Sequence, residues 1–333
     1  MSSRAAFFFL LVACLASPLA AAVMSGPVSG YVLDDGSHSL RPINGMPGGA
    51  TLGSPLVLPF PAGLAAVSLR LDYALLTGTR GGNVFLATGL HTGQPTVAPL
   101  SGAVAASNIV LSGSGTSAIL YSDGSHQLQF VSGLPGNPAA GTPVDASQAG
   151  SISVLALNEA GSTALLLAAD GSLYAMSAGS GAGPQFIARI SGASSAAILA
   201  DGTDAVLGNG TTGDVLLVQN FASSATISTL AGAAQGITSA GDVAAVDAHH
   251  AAVIDGSGKL AVINLDTAVV SWVTLAGAAE RFHPLDAGLL LLNHPGTQAL
   301  LLLNSAEGGT AYFVPPAAAG SDVHRGTAIW TRR

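Results

Sequence analysis

Cysteine and lysine are almost absent from this 333-residue chain, which has Cys14 as its only cysteine and Lys259 as its only lysine. A single thiol cannot close an intramolecular disulfide, and it cannot supply the thiolate set of a structural zinc site. Charged residues make up only 8% of the chain, and the net charge is −8. No basic stripe is present that would neutralise a phosphate backbone, so the sequence argues against a nucleic-acid partner.

Long apolar runs are also missing after the first 22 residues, where no stretch reaches the length that crosses a bilayer. We therefore predict no transmembrane segment beyond the N-terminus. The mean hydropathy is nevertheless high, at +0.54. The apolar residues occur in short unbroken runs, such as 164–168 and 289–292, which are typical of strands buried on both faces.

The first 22 residues have the organisation of a secretory signal peptide. Arg4 supplies the positive charge, residues 5–16 form a short apolar region, and three alanines ending at Ala22 form a small-residue cleavage site. We expect cleavage there, which would leave one domain, residues 23–333, in a secreted, periplasmic or cell-surface location. An alternative is a lipoprotein, because the Leu-Val-Ala-Cys sequence ending at Cys14 resembles a bacterial lipobox.

Glycine-containing turns recur along the chain at intervals of 40 to 47 residues. Each turn lies between two short apolar runs, which is typical of a β-hairpin repeated as a structural unit. The turns lie at Gly36, Gly82, Gly124, Gly171, Gly213, Gly256 and Gly296. A period in the forties with about four strands per unit indicates the blades of a β-propeller. The sequence therefore predicts an all-β fold, a seven-bladed β-propeller.

The first repeat is incomplete. Residues 31–40 parallel residues 119–128 of the third repeat, so the mature chain begins at the second strand of a blade. We expect residues 327–331 to supply the missing inner strand, so that strands from both termini close blade 1 and protect its edge. The alternative is a six-bladed ring with an additional hairpin.

One repeat resembles a known type. Residues 259–273 contain an apolar strand, an Asp-Thr-Ala turn and a second β-rich strand, and they resemble the repeat of the bacterial YVTN-type β-propellers. The YVTN tetrapeptide itself is absent, as is the Trp-Asp dipeptide of WD repeats. The resemblance implies a secreted or surface-exposed propeller. It implies no activity, since propellers have many unrelated functions.

The best candidate site lies on one face of the predicted ring, formed by the loops between blades and by the central turn of each blade. Two inter-blade loops, 277–286 and 315–326, contain the densest set of ionisable residues, and neighbouring blades would bring them together. The candidate ligand-binding residues are Glu280, Arg281, His283, Asp286, Asp322, His324 and Arg325. Loops also collect charge simply because they are solvated. No cofactor and no metal site are predicted, and catalytic residues are not identifiable.

The sequence contains no catalytic motif, and three classes of function remain open. The first is an exported scaffold that binds a protein, a glycan or a cell-envelope component. The second is a lactonase-like or other hydrolytic enzyme with its site at the mouth of the central channel. The third is a purely structural surface-layer or adhesion protein.

Overall fold

The computed structural model describes residues 26–286, 288–294, 299–304 and 309–315. These residues form seven small antiparallel sheets arranged in a ring, which is a seven-bladed β-propeller. The fold prediction and the blade count are therefore confirmed. The predicted signal peptide lies outside the described residues, and so does Cys14. Within the described ranges, no helix is long and apolar enough to span a membrane.

Blades 2 to 7 each contain four strand positions in chain order, numbered here from the central channel outwards, and blade 1 contains three described strands. The strands of blades 1 to 3 are β1 (Val28–Asp34), β2 (Ser39–Asn44), β3 (Thr51–Leu52), β4 (Ala62–Ser68), β5 (Tyr73–Gly78), β6 (Val84–Thr88), β7 (Thr96–Pro99), β8 (Asn108–Leu111), β9 (Ser117–Ser122), β10 (Gln127–Ser132), β11 (Ala139–Ala140) and β12 (Val144–Asp145). In blade 3 two short pieces, β11 and β12, both pair with β10 and share the outer position.

The later blades follow the same plan. Their strands are β13 (Ile152–Leu157), β14 (Thr163–Ala168), β15 (Ser172–Ser177), β16 (Gln185–Arg189), β17 (Ala193–Ile198), β18 (Ala205–Asn209), β19 (Val215–Gln219), β20 (Thr226–Ala231), β21 (Ala240–Ala245), β22 (His250–Asp255), β23 (Leu260–Asn264), β24 (Val270–Val273), β25 (His283–Asp286), β26 (Leu289–Leu291), β27 (Leu300–Asn304) and β28 (Thr310–Val314). Three single 3₁₀ turns, Leu90–Thr92, Ser147–Ala149 and Ala233–Gln235, are the only helical segments described.

The core consists of a hydrophobic cluster between each pair of neighbouring blades. Leu165 and Leu207 pack in the cluster between blades 4 and 5, for example, and Ile43 and Leu302 pack between blades 1 and 7. Second strands are sandwiched between two neighbours, so β14 is buried on both faces. This arrangement explains the unbroken apolar runs and the high mean hydropathy.

Six of the seven glycine turns lie where the repeat predicts them, between the second and third strands, and Gly296 lies outside the described residues. These turns and the inter-blade loops form one face of the ring, called the upper face below. In the turns at Gly36 and Gly124, the left-handed conformation falls on His38 (φ 48°) and His126 (φ 51°) instead of on the glycine. An Asp-Gly pair is the usual place for positive φ in a tight hairpin turn, but at these two turns the histidine that follows adopts it.

Blade 1 confirms the parallel between the first and third repeats. The carbonyl of His38 accepts a hydrogen bond from the amide of Ala62, where blade 2 begins, and His126 accepts one from Ala146 in the same way. The strand β1 therefore occupies the second position of its blade, and no described strand occupies the first position. Residues 327–331, which we predict there, lie outside the described residues.

Candidate functional site

Three of the predicted site residues lie together on the upper face, at the junction of blades 6 and 7. Glu280 and Arg281 are exposed in the loop between β24 and β25, and their amides both donate to the carbonyl of Leu292, at 2.7 and 3.2 Å. His283 begins β25 at the upper face. Asp286 is the last residue of this strand and is not part of the group. Of the remaining predicted residues, Asp322, His324 and Arg325 lie outside the described residues, so their proximity to this loop stays a prediction.

The side chain of His283 is mostly buried, and its Nε2 atom is buried without a hydrogen-bond partner among the described residues. Its ring meets the ring of His294 edge to face, with centroids 4.8 Å apart and an interplanar angle of 66°. The pKa of His283 is lowered to about 4, mainly by burial and to a lesser degree by the neighbouring His294 and Arg281, while Glu280 opposes the lowering. The imidazole is therefore neutral at physiological pH.

Asp242, in blade 6, is hydrogen-bonded to the loop that leads into blade 7. It lies near the start of the inner strand β21, immediately after a β-bulge, where the ladder shifts register between Ala240 and Asp242. One carboxylate oxygen accepts the amide of Phe282 at 2.8 Å, and the other accepts the amide of Val243 at 3.0 Å. Burial raises the pKa of Asp242, and these amides and Arg281 only partly counteract that effect.

Sequence reasoning missed His294 and Asp242. A signal for His294 was available, because it lies two residues before Gly296 in the central turn of blade 7, and such turns were already assigned to the upper face. A carboxylate oxygen of Glu280 accepts the amide of His294 at 3.4 Å, which joins this turn to the inter-blade loop. Asp242 had no comparable signal, since a bulge in an inner strand leaves no pattern in the sequence.

The aspartates of the central turns have structural roles. Asp170 Oδ1 accepts the amide of Ser172 at 2.9 Å, and Asp255 Oδ1 accepts the amides of Ser257 and Lys259 at 2.9 and 3.1 Å. Such bonds are what turn chemistry requires. Across the described ranges, no three His, Cys, Asp or Glu side chains lie close enough together to hold a metal ion.

Comparison with known proteins gives the fold and no family. No protein-family profile and no curated protein matches the sequence. A functionally unknown protein from Desulfotomaculum acetoxidans superposes with a TM-score of 0.60 at 12% identity, covering 86% of this chain and 99% of the other. Hsv2 of Kluyveromyces lactis superposes with a TM-score of 0.53 at 10% sequence identity, covering 84% of this chain and 93% of Hsv2. A chain of a nidogen–laminin complex superposes with a TM-score of 0.50 at 10% sequence identity, covering 71% of this chain and 91% of the other. At these identities the similarity shows the propeller fold alone.

Proposed function

We propose that this protein is an exported, non-catalytic binding scaffold that uses the upper face at the junction of blades 6 and 7. The observation that carries the proposal is the unpaired Nε2 of His283. A buried polar atom without a partner costs free energy, and native structures rarely keep one without a reason. A ligand group that reaches this nitrogen would satisfy it.

The chemistry of the site suits a ligand that presents hydrogen-bonding groups. His283 is neutral, so one of its ring nitrogens donates and the other accepts. Arg281 and Glu280 add one exposed charge of each sign beside it. This combination favours a polar, zwitterionic or peptide-like group over a purely apolar one. We propose a protein, a glycan or another component of the cell envelope as the partner.

Two observations outside the site support a binding role. Propellers present a broad face of loops on a rigid ring, and loops on a rigid scaffold are common binding surfaces. One of the chains with a similar fold belongs to a complex between two proteins, nidogen and laminin. The export itself is proposed from the signal-peptide pattern of residues 1–22 alone.

Native mass spectrometry of the protein purified from its own exported fraction tests the proposal, together with elemental analysis. We expect a bound species at near-unit stoichiometry that His283→Gln loses. His91→Gln is the matched control, because His91 is exposed and lies between the third and outer strands of blade 2, on the opposite face. A species retained equally by both variants, or a protein that is always free of ligand, would contradict the proposal.

The hydrolytic alternative has one observation in its favour. Asp242 and His283 belong to neighbouring blades, and burial shifts their pKa values in opposite directions, as is common in acid–base sites. An enzyme built on this pair would hydrolyse a lactone or ester, and Asp242→Asn would abolish that turnover. If the protein hydrolyses any lactone or ester in a panel of such substrates, and Asp242→Asn eliminates that turnover, the hydrolytic function would replace the scaffold proposal.

A further inference from the structure

A cavity opens on the upper face, between blades 2 and 3, and none of the predicted site residues lines it. Its volume is about 350 Å³, which is within the range of small-molecule sites. The start of β4, the end of β5, the loop from blade 2 to blade 3 and two central turns form its walls. The residues that matter for its chemistry are Gly63, Thr77, Gly82, Ser107, Ser122 and Asp123.

Thr77 provides the strongest indication of a ligand. Thr77 is fully buried and is one of the residues that line the cavity, and its hydroxyl has no hydrogen-bond partner among the described residues. Alternation along β5 directs Thr77 to the same side as Leu75 and Tyr73, which pack in the cluster between blades 2 and 3. The hydroxyl therefore lies at the upper end of that cluster, where the apolar packing gives way to the cavity.

The repeat does not require a hydroxyl at this position. Thr77 pairs with Leu64, the first residue after the bulge of the inner strand. The residues with the same pairing in blades 4 and 6 are Leu167 and Ile254, and both are buried hydrophobic residues. An apolar side chain would avoid the cost of an unsatisfied hydroxyl. The polar exception therefore coincides with the cavity, as expected if a ligand satisfies it.

The walls limit the chemistry of that ligand. Gly63 allows the start of β4 to approach the end of β5 closely at the wall of the cavity, since a Cβ on Gly63 would lie 2.5 Å from the carbonyl oxygen of Gly78. Ser107 Oγ donates to the carbonyl of Tyr121 and accepts the amide of Asp123, which fixes the start of the turn that contains Asp123 at the rim. No lysine or arginine is among the described lining residues, although the exposed Arg80 lies between the lining residues Thr79 and Gly81 in the central turn of blade 2. The polar side chains of the lining residues themselves are hydroxyls and one carboxylate, which suit a ligand rich in hydroxyl groups.

We propose that this cavity binds a neutral, polyhydroxylated ligand of monosaccharide size. The Thr77 hydroxyl exchanges a hydrogen bond with a ligand hydroxyl at the base of the cavity, and the Asp123 carboxylate accepts ligand hydroxyls at the rim. Hydroxyl-bearing ligands suit such a site because each hydroxyl both donates and accepts. The proposal does not depend on the site between blades 6 and 7, which lies elsewhere on the ring.

Saturation-transfer difference NMR and calorimetry with a panel of neutral sugars test the proposal. The probes are D-glucose, D-galactose, D-mannose, N-acetyl-D-glucosamine and myo-inositol, with spermidine as a cationic comparison. We expect at least one sugar to bind. Thr77→Val keeps the side-chain shape but removes the hydroxyl, and we expect it to weaken that binding about tenfold, the value of one hydrogen bond. Thr77→Ser keeps the hydroxyl and should bind nearly as well as the natural protein.

Three results would overturn the proposal. No sugar of the panel binds at millimolar concentration, or a sugar binds equally well to the Thr77→Val variant, or spermidine binds in place of the sugars and competes through Asp123. The His283→Gln variant distinguishes this site from the proposed scaffold site. We expect it to keep the sugar affinity unchanged, so either proposal can fail while the other stands. Thermal melting of each variant shows that a loss of binding is not a loss of fold.

Discussion

The imidazole of His283 is expected to make the stability of the protein depend on pH. Its pKa is about 4 in the folded chain and near 6.5 in the unfolded chain. Between these values the unfolded chain binds a proton that the folded chain does not, so stability falls as the pH drops from about 6.5 to about 4. The shift corresponds to about 3 kcal/mol as an upper limit. Because the ring is partly exposed, solvent screening reduces the expected loss to about 2 kcal/mol.

Urea denaturation at several pH values between 7.5 and 4 measures this loss. We expect the free energy of unfolding of the natural protein, relative to that of His283→Gln, to fall by about 2 kcal/mol over this range. Asp242 has a raised pKa and contributes the opposite trend, favouring the folded state at low pH, but it is present in both proteins and cancels in the difference. His294→Gln is a graded control, since removing its charge should return the pKa of His283 part of the way towards 6.5.

Two outcomes would refute the reasoning. A stability difference that stays constant between pH 7.5 and 4 would mean that His283 is not a buried neutral imidazole. A natural protein that gains stability over the variant on acidification would mean that His283 has a charged partner in the folded state. An NMR titration of the His283 ring protons gives the folded pKa directly and separates the two cases.

Three further predictions concern stability. Replacing Thr77 by valine removes a buried hydroxyl without a described partner, so in the absence of ligand we expect a gain of about 1–2 kcal/mol, seen as a higher melting temperature; a loss would show that the hydroxyl is satisfied. Gly213→Ala should cost more than about 2 kcal/mol in urea denaturation, because φ is +80° and the new Cβ would lie 2.4 Å from the carbonyl oxygen of Ile237. Gly93→Ala has a similar φ of +77° with nothing within 4 Å, and it should cost only about 1 kcal/mol; equal losses would show that the contact at Gly213 is irrelevant. Deleting residues 327–331 should lower the unfolding midpoint by leaving the inner edge of blade 1 unpaired, and an unchanged midpoint would contradict the predicted closure.

The architecture could be predicted from the sequence because it depends on periodic, local signals. The spacing of the glycine turns gave the number of blades, and the unbroken apolar run at 164–168 matches the buried strand β14. Details that depend on backbone geometry were not predictable. The positive φ at His38 and His126 is one example, since Asp-Gly would be the usual place for it in such a turn.

The candidate site was predictable only where charge density marked it. Glu280, Arg281 and His283 occur close together in a chain with few charges, and the structure places them in one inter-blade junction. Asp242 lies at that junction because it follows a β-bulge in the inner strand. Thr77 is notable because its buried hydroxyl has no described hydrogen-bond partner. Both properties depend on the three-dimensional contacts between neighbouring blades, and a single sequence does not show such contacts.

The contact between blades 1 and 7 has a consequence for how the ring folds. Every other pair of neighbouring blades is joined by adjacent stretches of chain, whereas this pair brings Val32 and Ile43 against Leu285 and Leu302, from opposite ends of the polypeptide. Contacts of such high sequence separation cost the most chain entropy and form late. We therefore expect folding to proceed blade by blade and to end with a slow closure step. Until that step is complete, the apolar sides of the first and last blades remain exposed, and during this interval the chain is most susceptible to aggregation and proteolysis.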